Sequence, residues 1–353
     1  MAVRRRAIGA WLVVVAALVV ATLLVGGATR LTESGLSITE WKPVTGIVPP
    51  LTEAQWQAEF DKYKLIPQYR ELNRGMTLAE FRTIFWWEWG HRLLGRTIGA
   101  VFLLPFLFFL WRGWIGPGLR WKLWTLFGLG ALQGVVGWWM VSSGLSDRVS
   151  VSQYRLAFHM TLACIIYAAI VWTLRGLNSA AIVQAPTRVR FGAAMLALLV
   201  LVQIYLGALV AGLDAGLTYN TWPLIDGALV PSTERLWFLT PLWRNFFENE
   251  LTVQFVHRVV AYFLWAAAIL HAVDVVRTLQ REPSATLAVW LAIAVTSQAA
   301  IGVATLLYQV PISLALLHQG MAIVILTIAM AHAERLLRRS STESLGVSPV
   351  LAR

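Results

Sequence analysis

Eight long apolar stretches constrain the fold of this 353-residue chain more than any other feature. Each is close to the roughly 20 residues that a helix needs to cross the hydrocarbon core of a bilayer. Unpaired backbone polar groups are too costly in hydrocarbon, so apolar segments of this length must be helices. The sequence therefore predicts an all-α integral membrane protein with eight transmembrane helices. The stretches run over about 7–25, 93–111, 123–141, 156–174, 191–213, 255–276, 286–307 and 312–333.

The composition excludes the main soluble alternatives. Only 13% of the residues are charged and 58% are hydrophobic, whereas about a quarter of the residues in soluble domains are charged. The formal net charge of +11 comes from Lys and Arg that flank the apolar stretches, so we predict no nucleic-acid partner. The single cysteine, Cys164, excludes an internal disulfide and any site built from several cysteines.

The positions of Lys and Arg predict the orientation, because these residues are retained on the cytoplasmic side of a membrane. Arginines 4–6 precede the first stretch, and Arg335, Arg338 and Arg339 follow the last. An even number of spans then places both termini in the cytoplasm, together with the whole positive excess. The start of the chain lacks the features of a cleavable signal or transit peptide. We therefore expect a multi-pass protein of the bacterial inner (cytoplasmic) membrane, with the lipid bilayer as its surroundings.

The two halves of the chain repeat one another. Segment 26–37 aligns with segment 207–218, and Trp41 falls on Trp222 at the same offset. The other matches are 88–92 on 254–258, Gln133 and Gly137 on Gln298 and Gly302, and 158–160 on 317–319. Each half has an even number of spans, so both insert the same way round, as parallel repeats do. The repeat favours two tandem, pseudo-twofold-related four-helix bundles, with chance similarity between apolar helices as the alternative.

The predicted domains follow from this repeat. Residues 1–180 form an N-terminal bundle, which carries a long outer loop over about 29–89. Residues 181–340 form a C-terminal bundle with an outer loop over about 214–251, and residues 341–353 form a cytoplasmic tail. The first loop is rich in aromatic residues and proline, so we expect ordered structure that lies over the bundle.

The histidines fall into two groups in this topology. Those near the predicted outer ends of spans two, four, six and eight are His91, His159, His257 and His318. His271 and His332 lie toward the inner ends and have no counterparts in the first half, so we interpret them as packed or interfacial side chains. Ionisable residues inside a membrane are costly and are functional candidates by default. Two imidazoles that face each other across a four-helix bundle are typical of a bis-histidine haem site, whereas zinc usually requires further ligands.

Charged neighbours distinguish the two candidate sites. Glu88 lies one helical turn before His91, but the corresponding residue of the second half is Gln254. A carboxylate can accept a proton, and an amide cannot act as a base. The first half is therefore the candidate reactive site, unless Glu88 only complements a helix dipole. Arg92 and Arg258 follow their histidines and are candidate contacts for haem propionates, with contact to lipid headgroups as the alternative.

Taken together, these motifs resemble those of the haem A synthase family over nearly the whole chain. The matching segments are 27–37 with 41–43, 88–92, 158–159, 220–227, 245–249, 256–258 and 317–319. The resemblance implies an oxidoreductase that converts haem O into haem A for a terminal oxidase, by oxidising the C8 methyl group of the porphyrin to a formyl group. It also implies, as partners, haem O and haem A, a haem O synthase and terminal oxidase assembly factors. The electron-transfer partner is left unidentified.

The resemblance also implies a role for each site residue. His91 and His159 are the expected iron ligands of the substrate haem, haem O, and Glu88 is the expected catalytic residue. His257 and His318 are the expected iron ligands of a haem b cofactor. Some bacterial members carry a cysteine pair in the first outer loop, which this chain lacks. The chain is similar to the branch shared by mitochondria and related bacteria, where no loop disulfide can accept electrons.

Two other functions fit some of these observations. A dihaem membrane protein that exchanges electrons with quinol would explain four histidines, but it does not explain the difference between Glu88 and Gln254. A transporter would explain tandem repeats. Its mid-membrane helices, however, would be interrupted by Gly and Pro, and its polar residues would lie at the midplane, whereas the polar residues here lie at the predicted outer ends.

Overall fold

The computed structural model of the protein describes residues 2–177 and 182–338. Within these ranges, eight helices are long and apolar enough to cross a membrane, which confirms the predicted class. They are α1 Ala2–Leu31, α2 Leu78–Trp111, α3 Pro117–Ser142, α4 Gln153–Gly176, α5 Thr187–Gly212, α6 Glu250–Thr278, α7 Pro283–Leu307 and α8 Ile312–Leu337. The predicted tail 341–353 and Arg339 lie outside the described residues.

Several helices extend beyond the apolar stretches that predict them. The largest extension is in α2, which begins at Leu78 rather than near residue 93. A capping box explains this start, because the Thr77 hydroxyl accepts from the Glu80 backbone N–H at 3.3 Å and the Glu80 carboxylate accepts from the Thr77 N–H at 2.7 Å. The first long connection therefore covers residues 32–77, which is shorter than the predicted 29–89.

This first connection contains ordered structure, as expected. It includes a short 3₁₀ turn, Thr45–Ile47, and two helices, Glu53–Tyr63 and Pro67–Glu71. Buried aromatic rings join the longer helix to the start of α2: the Phe60 and Phe81 ring centroids lie 5.0 Å apart, and so do those of Trp56 and Phe85. Apolar burial of this kind fixes the connection on the end of the bundle.

The second long connection joins α5 to α6 across residues 213–249. Its short elements are Ala215–Thr218, Thr233–Leu236, Leu242–Arg244 and Asn245–Glu248. We name the end of the bundle that carries residues 32–77 and 213–249 the loop face, and the opposite end the terminal face. Arg30 at the end of α1 pairs with Asp214 at the end of α5, with 2.6 Å between Nη2 and Oδ2, so an ion pair joins the two halves at the loop face.

The eight helices pack in the same pattern in each half. Helix α1 packs on α2 and α4, and α3 packs on the same two helices, so α2 and α4 occupy opposite corners of a four-helix group. Helices α5 to α8 repeat this arrangement, with α6 and α8 at opposite corners. The halves meet through α1, α4, α5 and α8. Across this contact, Gln319 donates to the Leu23 carbonyl at 2.7 Å, and the Tyr167 and Thr327 hydroxyls lie 2.8 Å apart.

Candidate functional site

Each of the four candidate ligand histidines has its ring against a glycine of the preceding long helix. His91 of α2 faces Gly26 of α1, and a Cβ atom built on that glycine would lie 2.6 Å from the histidine Cε1. The corresponding distances are 3.0 Å for Gly137 and His159, 3.2 Å for Gly207 and His257, and 2.8 Å for Gly302 and His318. Carbon atoms in van der Waals contact lie about 3.5–4.0 Å apart. Glycine is therefore the residue that leaves room for each ring.

A glutamine lies four residues before three of these glycines, one turn away on the same helix face. The Nε2 atoms of Gln133, Gln203 and Gln298 donate to the backbone carbonyl of the facing histidine, at 3.0 Å in each case. We name each of the four facing glycines, together with the residue four places before it, a histidine cradle. The alignment of Gln133 and Gly137 with Gln298 and Gly302 shows two cradles in the sequence. The third glutamine cradle, Gln203 and Gly207, is not among the sequence-based predictions, although the same four-residue spacing marks it.

The positions of the four histidines suit two ligand pairs. His91 and His159 lie on α2 and α4, and His257 and His318 lie on α6 and α8, which are the opposite corners of their groups. Their side chains lie in the bundle toward the loop face. In the part of the chain that the structure describes, Nδ1 of His91 and Nδ1 of His318 have no hydrogen-bond partner. Buried polar atoms are normally paired, so these orphaned ring nitrogens are consistent with rings that are built to bind a further group.

His271 and His332 form a separate pair near the terminal face. Their Nε2 atoms lie 2.9 Å apart, and the two rings are inclined by 78°. His332 is fully buried and His271 is 9% exposed, which agrees with the prediction of packed or interfacial side chains. The two rings are hydrogen-bonded directly to each other. The pair therefore connects α6 to α8.

Glu88 is buried, with 2% of its surface exposed. Its Oε2 accepts from the Ser37 hydroxyl at 2.7 Å and from the Ile38 backbone N–H at 2.8 Å. Its Oε1 accepts from Arg92, at 2.5 Å from Nη2 and 3.1 Å from Nε. Both carboxylate oxygens are therefore held, one by the first connection and one by the ion pair on α2.

Arg92 and Arg96 fasten the first connection to α2. Arg92 donates to the Ile38 carbonyl at 2.7 Å and to the Glu40 carbonyl at 3.0 Å. One turn further along, Arg96 donates to the carbonyls of residues 42 and 43 at 2.8 and 2.9 Å. A guanidinium has five N–H groups, and four of those on Arg92 are engaged in this way. Among the described residues, these four bonds leave one N–H of Nη1 unused.

Gln254 and Arg258 repeat this arrangement in the second half without the negative charge. Arg258 Nη2 donates to the Gln254 amide oxygen at 2.6 Å and to the Thr221 carbonyl at 2.9 Å. Gln254 Nε2 donates to the carbonyls of Ala215 and Tyr219, at 2.7 and 2.9 Å. The amide oxygen thus takes the place of Glu88 Oε1 as the acceptor for the arginine, while the amide nitrogen donates where Glu88 Oε2 accepts. Arg258 Nε has no partner among the described residues.

Ionisable groups on the loop face outside the helices also form pairs. Lys42 and Lys62 both donate to Glu40, and these hydrogen bonds lower the pKa of the Glu40 carboxyl. In the second connection, Arg244 and then Tyr154 of α4 donate to Glu248, which lowers the pKa of the Glu248 carboxyl. The Tyr154 hydroxyl lies 2.7 Å from Glu248 Oε1. Glu248 therefore ties the second connection of one half to a long helix of the other.

The sequence pattern of the cytochrome oxidase assembly proteins matches residues 9–330 of the chain. Curated proteins named heme A synthase are similar over almost the whole length. The one from Rhodopseudomonas palustris strain BisA53 is 62% identical over 339 residues, which is 96% of this chain and 93% of that protein. The one from Bradyrhizobium diazoefficiens is 62% identical over 339 residues, covering 96% and 94%. A third, from Rhodopseudomonas palustris strain HaA2, is 63% identical over 333 residues, covering 94% and 91%.

Proposed function

The chain belongs to the family of cytochrome oxidase assembly proteins, and on this premise we propose that it is a haem A synthase. This enzyme is an oxidoreductase of haem biosynthesis that oxidises the C8 methyl group of haem O to the formyl group of haem A. The observation that carries the proposal is the pairing of four histidines on opposite corners of two four-helix groups, with a carboxylate at one pair and an amide at the other. The full-length similarity to proteins named heme A synthase supports it.

In this proposal, His91 and His159 bind the iron of the substrate, haem O, and His257 and His318 bind the iron of a haem b. The residues fit such groups, because the two histidines of each half lie toward the loop face on opposite corners of a four-helix group, each with its ring against a glycine. A haem b held there would supply one-electron transfer. The protein's own part is to hold each pair of imidazoles across the bundle in an apolar setting.

Glu88 is the proposed catalytic residue. Conversion of a methyl group to a formyl group involves two two-electron oxidations, each replacing a C–H bond by a C–O bond with the electrons passing to an unidentified acceptor, and then loss of water from a geminal diol. Protons must therefore be moved at the reacting group. Glu88 lies one helical turn from His91, and four hydrogen bonds fix its carboxylate. A carboxylate in this position can accept a proton or orient water. Gln254 at the second pair cannot act as a base, which suits a site that only transfers electrons.

Arg92 and Arg258 are the proposed propionate contacts. Both guanidinium groups lie at the loop-face ends of the candidate haem sites, where their main bonds are to backbone carbonyls of the two connections. Arg258 is the better placed donor, because its Nε is buried and has no partner within the described ranges. Arg92 has a single N–H to spare. Each arginine would thus hold its connection closed over a haem while it contacts the edge of that haem.

The protein is a multi-pass membrane protein by its eight helices, and we propose the bacterial inner membrane as its location. The loop face, with both sites, would then face away from the cytoplasm, since the positive excess lies near the terminal face. A haem O synthase as the source of the substrate, and oxidase assembly factors as acceptors of haem A, are the proposed protein partners.

Haem extraction from purified variants tests the division between the sites. With haem O supplied, His91→Ala should lose haem O and haem A but keep haem B, whereas His257→Ala should lose haem B. The absorption spectrum of the reduced protein reports the same losses. Haem B at both sites, with no haem A formed from supplied haem O, would instead indicate the quinol-linked electron-transfer protein.

A further inference from the structure

The four histidine cradles differ at one position. In α3, α5 and α7, the residue four places before the glycine is glutamine: Gln133, Gln203 and Gln298. In α1, Thr22 takes this place before Gly26. The cradle of His91 is therefore the one that lacks a glutamine amide.

The glutamines contact both the backbone and the ring of their histidines. Besides the 3.0 Å bonds to the histidine carbonyls, Gln133 Nε2 lies 3.1 Å from Nδ1 of His159, and Gln203 Nε2 lies 3.0 Å from Nδ1 of His257. In the fourth cradle, Gln298 Nε2 lies 3.5 Å from Nε2 of His318. The amide therefore restrains the ring from one side while the glycine restrains it from the other.

Thr22 makes no such contact through its hydroxyl. Its Oγ1 donates to the Leu18 carbonyl of its own helix at 2.8 Å, as Thr side chains in helices commonly do. Nδ1 of His91 is buried and has no hydrogen-bond partner in the described part of the chain. His91 thus has the glycine of its cradle and a hydrogen bond with the Thr22 backbone, but no side-chain amide that contacts both its ring and its own carbonyl.

We propose that Gln133, Gln203 and Gln298 are positioning residues that keep three ligand histidines fixed, and that Thr22, which has no amide, restrains His91 less, so that His91 is the ligand that releases the substrate haem. This inference rests on the proposed function. A resident haem benefits from two fixed ligands, because restraining a ligand before binding reduces the entropy lost when the bond forms. A substrate haem must also leave as product, so one ligand of its pair has to release it.

Replacing threonine by glutamine in the first cradle, and glutamine by threonine in another, provides the test. Thr22→Gln should complete the first cradle and slow the release of haem from the His91 pair about tenfold, the effect expected from one added hydrogen bond. Gln203→Thr should speed the release of haem b by a similar factor and leave release from the first pair unchanged. The measurement is the rate of haem transfer from full-length purified protein, loaded with haem O and haem B, to excess apomyoglobin. Extraction and chromatographic separation of the transferred haem O and haem B at each time point identify the site.

Gln153→Thr is the matched control, because Gln153 is a buried glutamine of α4 whose amide donates to the Phe247 carbonyl and to no histidine. It should leave both release rates unchanged. Equal rates in the wild-type, Thr22→Gln and Gln203→Thr proteins would overturn the cradle proposal. Equal effects of Gln203→Thr on both haems would also overturn it, since a positioning role acts on its own site. The proposed function fails separately, if His91→Ala and His257→Ala retain every haem.

Discussion

Glu88 and Arg92 form a buried ion pair one helical turn apart on α2, with 2.5 Å between Oε1 and Nη2. The same two positions in α6 are occupied by Gln254 and Arg258, which are joined by a hydrogen bond of 2.6 Å. In both halves the arginine also holds backbone carbonyls of a long connection. An oxygen of the side chain at this position therefore supports the arginine in both halves, but the second polar atom differs: Oε2 of Glu88 accepts from the Ser37 hydroxyl and the Ile38 N–H, whereas Nε2 of Gln254 donates to backbone carbonyls.

Glu88→Gln should abolish haem A formation in the folded protein. An amide oxygen can remain the acceptor of Arg92, as Gln254 is for Arg258, but the amide nitrogen then faces the Ile38 N–H, so the variant should also be less stable and its haem A is compared per amount of folded protein. Loss of the base should lower the yield of haem A about a hundredfold or more. Extracted haems from cells that supply haem O give the measurement, and Glu80→Gln, at the capped start of α2, is the control. Undiminished haem A in Glu88→Gln would exclude the catalytic role.

Gly302→Ala should remove haem b. A Cβ atom at this position would lie 2.8 Å from Cε1 of His318, so the ring must turn away from the bundle position in which it can meet His257. Haem B content after purification should fall severalfold, while the haem bound by the His91 pair remains. Gly130→Ala in α3 is the matched control, because nothing lies within 4 Å of a Cβ at that glycine. Retention of full haem B in Gly302→Ala would contradict the assignment of His318.

Much of this arrangement can be predicted from the sequence, because it depends on local pattern. The length of apolar runs predicts the eight helices, and the spacing of Glu88 and His91 predicts that they share a face of α2. The partners of Glu88 in the first connection cannot be predicted in this way. Ser37 and Ile38 lie some fifty residues before Glu88 in the sequence. They contact Glu88 because the aromatic cluster of the first connection, with Phe60 packed on Phe81, fixes the path of that connection.

The contact between His271 and His332 also lies beyond sequence reasoning. Each follows a candidate haem ligand of the same helix by fourteen residues, His257 and His318 respectively, which corresponds to about 21 Å along a helix. That spacing would equally fit a second haem site. The observed 2.9 Å between the Nε2 atoms leaves no gap for a macrocycle, so side-chain conformation and not spacing distinguishes the two interpretations.

His332→Ala should therefore destabilise the protein without changing its haem content. The substitution removes a fully buried ring and leaves His271 without its hydrogen-bond partner, at a cost of about 2–4 kcal/mol. Thermal unfolding in detergent measures the loss. His271→Ala should lower the free energy of unfolding by a similar amount. In the double variant the loss should be smaller than the sum of the two single losses, because both substitutions remove the same contact. Loss of one haem from His332→Ala, with unchanged unfolding, would contradict a structural role.

The pairing of Glu248 predicts an acid-sensitive contact between the halves. Hydrogen bonds from Arg244 and Tyr154 lower the pKa of the Glu248 carboxyl, so its ionised form is stabilised by folding. This contribution is complete above the ordinary glutamate pKa of about 4.3 and is lost as the pH falls through the lowered value. Wild type should thus be more stable than Glu248→Gln at pH 7, and the difference between their unfolding temperatures should shrink below about pH 4. Comparing the two proteins at each pH cancels the titration of the other carboxylates. A difference that stays constant down to that pH would show that the charge of Glu248 does not hold the second connection on α4.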